Sequence, residues 1–338
     1  MIDRTILIFE AKSRRVTPSA LRGSRDRLSV EIQKLMVEPA EQSRRLMNKL
    51  SIERHVHRFE SQDGPVEIDS RMIESFIRIN ISFEAIAYLS SRWPELAEAE
   101  LITKDAVQIP TMTLGDLETI CRSLRSQAET VHYLQRRGDF ERNAIYLADE
   151  LDLLALYLAT GFNIGEAEFG ETGFVIYGMS ARLDKYFSPQ QPGTPLLLPE
   201  AKRTHLWNAI LDEMERRASD GWLGITNRLL NVAYDDQVRA EKHMAGARRR
   251  LSRRRDPPAY AAMLANGPPQ RREALALITF GEMTREERFE FAKEAAATTM
   301  NNAGTNDCLV VGFIVNERPA PFHLVALLTR DIGVAGGD

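Results

Sequence analysis

The segment Thr5–Lys12, with the sequence TILIFEAK, decides how the fold of this chain is interpreted. Its apolar, β-branched run predicts a strand that is buried on both faces of a sheet. Side chains alternate across a strand, so Glu10 and Lys12 project from one face, about 6–7 Å apart, while Ala11 points to the other. An acid and a base therefore share one site at the end of the predicted strand.

The composition is that of an ordinary globular chain. Its 338 residues include 44 Lys+Arg and 48 Asp+Glu, which gives a net charge of −4 and excludes a globally basic protein. The length predicts two domains. Cys121 and Cys308 are the two cysteines, which argues against a disulfide framework or a structural zinc site. No apolar run approaches the ~18 residues of a membrane span, so we predict a cytoplasmic protein without a membrane partner.

Hydrophobic periodicity predicts an α/β domain over residues 1–125. As a central strand, Thr5–Lys12 needs neighbours on both sides, so either later strands flank it or the chain lacks its beginning. After it, the pattern predicts a helix over Leu28–Leu50 with a break near Pro39, a strand at Phe76–Phe83, a short helix around Glu84–Arg92, a strand at Val107–Leu114 and a helix that opens at Thr113.

Residues 126–338 are predicted to form a helical linker and a second, α+β domain of unknown function. The pattern stays helical from Gln127 to about Gly161, and the acids Asp149, Glu150 and Asp152 are typical of a solvated helix face. Further strands are predicted at Gly173–Met179, Cys308–Val315 and Phe322–Thr329, with helices at His205–Ala218, Thr226–Arg250 and Thr284–Met300. The segment Leu275–Phe280 precedes the last of these helices in the same α+β unit. A turn at Asn316–Pro319 makes the last two strands a hairpin.

The residues Glu10 and Lys12 could carry chemistry, because a carboxylate suits Mg²⁺ and an ammonium can orient water or stabilise developing charge. The alternative is a salt pair where the strand leaves the core. Residues 1–50 contain eleven Lys+Arg and six Asp+Glu, an excess of +5 in a chain of net charge −4. This excess suits either nucleic-acid phosphates or a solvated basic loop. The candidate phosphate-binding residues are Arg14, Arg15, Arg22 and Arg25.

A second basic cluster contains six arginines in the eight residues Arg248–Arg255. The C-terminal end of a helix favours cations, but six exceed what a cap requires. Arg248, Arg249 and Arg250 could bind nucleic-acid phosphates or an acidic partner, and the absence of interleaved aromatic residues argues against base stacking. His55 and His57 would lie on one face of an extended segment, but the sequence suggests no third metal ligand beside them.

The stretches ILIFEAKSRRVTPSALRGSRDRL (6–28), LMVEPAEQSRRLMNKL (35–50) and IPTMTLGDLETI (109–120) resemble the PD-(D/E)xK nuclease superfamily, and a group of uncharacterised bacterial proteins within it. The resemblance covers about residues 5–125 and implies a partial restriction-endonuclease-like core with a mixed sheet. It makes Glu10 a ligand of Mg²⁺, or of Mn²⁺ in its place. It also makes Lys12 the catalytic lysine and Gln42 the helix glutamine near the site, and it implies DNA as the substrate.

One feature of that superfamily has no counterpart, since its first metal-binding aspartate lies on the strand before the glutamate. Nine residues precede Glu10, and Asp3 would lie about 23 Å away along the strand, too far to share an ion. Either the chain lacks its N-terminal part or it is a degenerate member. We therefore carry two hypotheses, a Mg²⁺-dependent nuclease in nucleic-acid processing or defence, and a catalytically inactive module that binds DNA or a protein partner. A homo-oligomer and a structural fragment of a larger protein also stay open.

Overall fold

The computed structural model describes residues 1–84, 89, 91–170, 172–188, 197–253, 258–315 and 321–330. Internal contacts divide the chain into two compact units, residues 1–162 with 167–201, and residues 163–166 with 202–338. This division lies near residue 201, whereas the sequence predicts a domain boundary at 125/126. Both units combine helices with strands, so the mixed α/β class predicted from the sequence is confirmed.

The first unit begins with the predicted strand, β1 (Thr5–Lys12). It continues with α1 (Pro18–Leu21), α2 (Arg25–Ile32), a π-helical turn (Gln33–Val37), α3 (Glu38–Ile52), β2 (Val56–Phe59), β3 (Val66–Asp69), a 3-10 turn (Ser70–Met72), β4 (Ser75–Ser82), α4 (Trp93–Glu98), β5 (Thr111–Thr113), α5 (Leu114–Ser123), α6 (Gln127–Asn143), β6 (Tyr146–Leu147), α7 (Glu150–Thr160), β7 (Phe174–Val175) and α8 (Ala181–Phe187). The predicted strand at 76–83 is confirmed as β4. The helix predicted at 84–92 falls mostly on residues outside the described ranges.

Three of these strands form a parallel sheet in the order β1-β4-β5. Its central strand is β4, so the prediction that Thr5–Lys12 is central is wrong for the strands that the structure describes. The prediction that β1 is buried on both faces is also wrong, because the face that carries Phe9 and Ala11 is only partly covered and Phe9 is 42% exposed. The β-branched run predicts the strand correctly but not its position at the edge of the sheet.

The predicted break in the helix over 28–50 corresponds to the π-helical turn between α2 and α3. Here the N–H of Glu38 donates to the carbonyl of Gln33, five residues earlier. Pro39 follows in the first turn of α3, where its missing N–H is tolerated. The chain therefore stays helical through residues 25–52, and the wider turn changes which backbone carbonyls are free to accept other donors.

Two predictions about residues 145–152 are wrong. Tyr146–Leu147 is not helical but pairs in parallel with β7. Glu150 is not on a solvated helix face, since it is 1% exposed. Its Oε2 lies 3.1 Å from Nε of Arg137, which also pairs with Glu141. We call the group Tyr133, Arg137, Glu141, Tyr146 and Glu150 the buried ionic cluster. Asp152 is buried as well, and its carboxylate accepts from the N–H groups of Gly178 and Ser180.

The second unit contains a mixed four-stranded sheet in the order β11-β10-β9-β8, in which β9 and β10 are parallel. Its elements are α9 (His205–Arg217), α10 (Trp222–Leu230), α11 (Tyr234–Leu251), β8 (Ala259–Asn266), β9 (Glu273–Phe280), α12 (Arg285–Ala303), β10 (Asp307–Ile314) and β11 (Leu324–Thr329). The helix predicted at 226–250 is thus two helices, and the sequence did not predict β8. The predicted hairpin pairing of β10 with β11 is confirmed, although its turn at 316–319 lies outside the described residues.

The connection between β9 and β10 is made by α12, as parallel neighbours require. Thr284 and Glu287 cap its first turn reciprocally, and Gly304 ends it with a φ of 69°. The alternate side chains of β9 that include Ala276 and Ile278 pack against α12. In the part of the chain that the structure describes, no helix is both long and apolar enough to cross a membrane.

Candidate functional site at the end of the first strand

One face of β1 changes from apolar to charged along the strand. Ile6 and Ile8 are buried and pack in a cluster with Leu50 of α3. Glu10 and Lys12 follow on the same face, because they continue the same alternation. Since α3 packs against this face with its C-terminal residues near the start of β1, its N-terminal turns lie near the end of β1. The helix therefore covers the apolar part of the strand and reaches the charged part.

Two side chains of β4 fix α3 and the preceding π-helical turn against the sheet. Nδ2 of Asn80 donates to the carbonyl of Met36 at 3.0 Å. Nη1 of Arg78 donates to the carbonyl of Ala40 at 3.2 Å. Both acceptors lie within one turn of Pro39, so the helix is anchored where its hydrogen-bond pattern changes. This anchoring determines where Gln42 lies relative to β1.

The sequence-predicted residues Glu10, Lys12 and Gln42 come together here. Nζ of Lys12 lies 2.9 Å from Oε1 of Glu10 and 2.6 Å from Oε1 of Gln42. The side chains of Lys12 and Glu10 are 26% and 29% exposed, so solvent or a substrate can reach both. An ammonium has three N–H donors, and these two bonds leave one for another acceptor.

The strand next to β1 supplies a buried oxygen beside this group. Asn80 is in register with Glu10, and Thr111 is in register with Asn80. Asn80 is 1% exposed, and its Oδ1 has no hydrogen-bond partner among the described residues. Its Nδ2 faces Thr111 at 3.3 Å, so Oδ1 is turned away from that strand. A buried carbonyl oxygen without a donor is unfavourable, which makes this oxygen a candidate ligand atom.

The donor set at this position fits a hard divalent cation. Glu10 offers a carboxylate, and Gln42 and Asn80 offer amide oxygens, which are the ligand types of Mg²⁺ and Mn²⁺. The positions beside Glu10 on the neighbouring strands hold Asn80 and Thr111, where a second carboxylate could have been. Asp3 precedes β1 and so lies at the opposite end of the strand from Glu10, as its spacing predicts.

Two of the four arginines in the first basic cluster, Arg14 and Arg25, form hydrogen bonds with protein acceptors. Arg14 forms two hydrogen bonds, of 2.6 and 3.1 Å, with the carboxylate of Glu31, which is 2% exposed. These bonds from Arg14 lower the pKa of Glu31. Arg25 donates to the carbonyl of Ala99 at 2.9 Å and to Glu100 at 3.3 Å. The local charge count of residues 1–50 does not include Glu100, so it overstates the free positive charge.

The other two arginines are more open to a ligand. Arg15 lies over the ring of Phe83, with its guanidinium carbon 4.7 Å from the ring centroid. Arg22 follows α1 and is exposed, and among the described residues it has no acidic partner. Arg15 follows Lys12 by three residues, so it is the arginine of this pair nearer in sequence to the candidate site.

The second basic cluster lies in the last turn of α11, where the sequence predicts a helix end. Arg248, Arg249 and Arg250 are exposed, while Arg254 and Arg255 lie outside the described residues. The guanidinium of Arg250 stacks on the ring of Tyr260, 4.5 Å from its centroid. Both side chains line a cavity of about 270 Å³ between α11 and the sheet. The sequence did not indicate this aromatic partner, because it lies ten residues away on β8.

Comparisons with protein-family models, curated proteins and solved structures found nothing that matches this chain.

Proposed function

We propose that the chain hydrolyses DNA phosphodiester bonds in a Mg²⁺-dependent reaction, at a site of the PD-(D/E)xK type on a restriction-endonuclease-like core. The observation that supports this most directly is the position of the Lys12 ammonium, which contacts both Glu10 and Gln42. Gln42 is separated from Lys12 by thirty residues in the chain, so their contact depends on the tertiary fold and not on local chain geometry. An ordinary salt pair at an exposed strand end would explain the contact of Lys12 with Glu10, but it would not explain the second contact with Gln42.

Each residue has a distinct role in this proposal. Glu10 would hold the ion together with amide oxygens of Gln42 and Asn80. When bound there, the ion would supply Lewis-acid stabilisation of charge that develops on the phosphate oxygens. Lys12 orients the attacking water and stabilises negative charge, while Arg15 and Arg22 contact flanking phosphates. The proposed reaction belongs to nucleic-acid processing or defence in the cytoplasm.

The test compares Lys12→Ala with Lys49→Ala, because Lys49 is an exposed lysine on α3 that is not part of the candidate site at Glu10, Lys12 and Gln42. Supercoiled plasmid is incubated with each variant in Mg²⁺, in Mn²⁺ and in chelator, and circular dichroism checks that both variants are folded. We expect wild type and Lys49→Ala to cleave and Lys12→Ala to be slower by at least about a hundredfold. Equal cleavage by Lys12→Ala, or no cleavage by wild type with either ion, would contradict the proposal.

The second candidate function is a catalytically inactive nuclease-like module that binds DNA or a protein partner. It is favoured by Asn80 and Thr111 in the positions beside Glu10, where a complete two-carboxylate site would need an acid. This candidate predicts salt-dependent DNA binding that needs no divalent ion and is weakened when Arg248, Arg249 and Arg250 are replaced by Gln. Each phosphate contact that is lost should reduce the slope of log K against log salt by about 0.9. An unchanged slope would count against this interface.

A further inference from the structure

Three potential metal ligands lie together where α3 ends and β2 begins, away from the site at Glu10. The candidate ligand atoms of Glu53, His55 and His57 all lie within 4.8 Å of one another. The two imidazole rings have centroids 4.0 Å apart. His55 and His57 share a face because they are two residues apart in an extended segment. The third ligand, which the local sequence pattern did not suggest, is Glu53, the residue that caps the C-terminal end of α3.

The backbone of this cluster is fixed by a buried serine. Ser70 is 1% exposed, and its hydroxyl oxygen accepts from the N–H of His55 at 3.0 Å. The same hydroxyl lies 2.9 Å from the carbonyl oxygen of Glu53, to which it donates. The N–H of Ser70 donates to the carbonyl of His55, also at 3.0 Å. The protein itself therefore holds the backbone that carries two of the ligands.

His57 has the second hydrogen bond that a metal-binding histidine needs. It is 4% exposed, and its Nε2 lies 2.7 Å from the backbone carbonyl oxygen of Glu53. A carbonyl oxygen only accepts, so Nε2 carries the proton and Nδ1 keeps its lone pair for a metal. Donation of the other ring N–H to a carbonyl is how proteins fix the tautomer and orientation of histidines that bind metals.

The charge at this position also favours a cation. Glu53 adds a carboxylate at the C-terminal end of α3, where the helix dipole is negative. Two imidazoles with one carboxylate form a donor set for borderline metals such as Zn²⁺, Co²⁺ or Ni²⁺, whereas Mg²⁺ and Ca²⁺ prefer oxygen ligands alone. Glu53 and His55 are exposed, so water can complete the coordination.

We propose that Glu53, His55 and His57 form a binding site for one borderline divalent transition metal ion, with Zn²⁺ as the reference ion. This site is separate from the proposed nuclease site, because Glu53 lies eleven residues, or about 16 Å of helix, beyond Gln42 on α3. It joins the end of α3 to the β2–β3 hairpin through side chains from both. Its occupation does not depend on the proposed nuclease activity.

The experiment titrates the metal-free full chain with Zn²⁺ by calorimetry. The variants are His55→Ala and Glu53→Gln, whose side chains are exposed, and the control is His205→Ala, which removes an exposed imidazole elsewhere. We expect one Zn²⁺ per chain for wild type and the control. The affinity of His55→Ala and of Glu53→Gln should fall at least about tenfold, as is common for losses around metal sites. Circular dichroism of each metal-free variant checks the fold.

Co²⁺ provides a readout of the ligands themselves, because its ligand-field absorption reports coordination by nitrogen. We expect this absorption to appear in wild type and in His205→Ala, and to be lost or shifted in His55→Ala. Lys12→Ala should bind Zn²⁺ as wild type does, which separates this proposal from the nuclease. Sub-stoichiometric binding by wild type, unchanged affinity in both ligand variants, or an equal loss in the control would overturn it.

Discussion

Two of the groups in the first unit in which acids meet bases differ sharply in their access to water. In the buried ionic cluster, Arg137 and Glu150 are each 1% exposed. At the candidate site, the side chains of Lys12 and Glu10 are 26% and 29% exposed. The bond distances are similar, 3.1 Å and 2.9 Å. The two pairs therefore have nearly the same bond geometry in very different surroundings, and we expect burial to decide how much each contributes to stability.

The buried ionic cluster satisfies its charges almost completely within the protein. Tyr133 donates to Glu150 at 2.5 Å, and Tyr146 donates to Glu141. Burial raises the pKa of both tyrosines well above the usual value, as do the neighbouring carboxylates, so the hydroxyls stay protonated and keep donating. Burial also raises the pKa of Glu150, while Arg137 opposes this rise. If any one of these contacts were broken, a charged group inside the protein would lose a partner and would have no water to replace it.

The largest expected effect comes from Arg137→Met, which leaves two buried carboxylates without their cation. We expect the free energy of unfolding to fall by about 3–5 kcal/mol, measured by urea denaturation. The control is Arg142→Met on the same helix, whose exposed ion pair with Asp139 should contribute less than about 1 kcal/mol. A loss from Arg137→Met no larger than that of the control would show that burial does not distinguish the two groups.

The pH dependence of Arg137→Met follows from the same unpaired carboxylates. Burial already raises the pKa of Glu150 and Arg137 opposes this rise, so without the cation the folded pKa of Glu150 lies further above its unfolded value. A group of this kind loses stability as the pH rises through its folded pKa, because the folded state then has to hold a buried charge. The deficit relative to wild type should therefore be smaller at pH 5 than at pH 8. A deficit that grows on acidification would contradict this.

The next effect in size is that of Tyr146→Phe, which removes one donor to Glu141 but leaves Arg137 in place. Loss of a hydrogen bond to a buried charged acceptor should reduce the free energy of unfolding by about 1–3 kcal/mol. Tyr177→Phe is the matched control, because Tyr177 is 90% exposed and should show almost no change. Equal effects of the two substitutions would mean that the hydroxyl of Tyr146 does not stabilise the cluster.

The two regions also differ in how far the sequence predicts them. Alternation along β1 is a local property, so it was enough to place Glu10 and Lys12 on one face. The family resemblance assigned Gln42, and the crossover from β1 through α3 to β4 brings it to Lys12. By contrast, the local pattern wrongly predicts that Glu150 is solvated, since its cation lies thirteen residues away on another helix. Burial that depends on a distant partner leaves no local pattern.

Two wrong predictions of secondary structure also arise from partners that are distant in the sequence. The segment Ala259–Asn266, with the sequence AYAAMLAN, has little of the β-branched content that marks a strand, yet it forms β8 because it pairs with β9 over eight residues. Tyr146–Leu147 continues an apolar helical pattern, but its pairing with Phe174–Val175 makes it a strand. Tertiary pairing overrides local propensity in both cases, and periodicity within one segment cannot detect it.

The candidate site should be almost neutral to stability, in contrast to the buried ionic cluster. A double-mutant cycle of Lys12→Met and Glu10→Gln should give a coupling energy below about 1 kcal/mol in urea denaturation. The same cycle with Arg137→Met and Glu150→Gln should give a coupling of several times that value. If the Lys12–Glu10 coupling were the larger, the pair would be a stabilising element, and its value as support for a reactive site would be lost.

The smallest effect concerns Asp69 and Arg71, a pair whose geometry is as good as that of the buried cluster but which faces solvent. Arg71 donates to both carboxylate oxygens, at 2.8 and 2.6 Å. Its hydrogen bonds lower the pKa of Asp69 to about 2. A carboxyl with a depressed folded pKa stabilises the fold above its unfolded pKa, and this contribution disappears as the pH falls toward 2.

Because Arg71 is 61% exposed, solvent screens the pair, and Arg71→Ala should barely change the free energy of unfolding at pH 7. Titration of the Asp69 carboxyl carbon by NMR should nevertheless show its pKa return toward the ordinary value of about 4 in that variant. If the pair has good geometry and a lowered pKa but contributes almost nothing to stability, then burial, and not bond geometry, distinguishes the buried ionic cluster from the partly exposed pair at Lys12 and Glu10. A large loss of stability from Arg71→Ala would refute that conclusion.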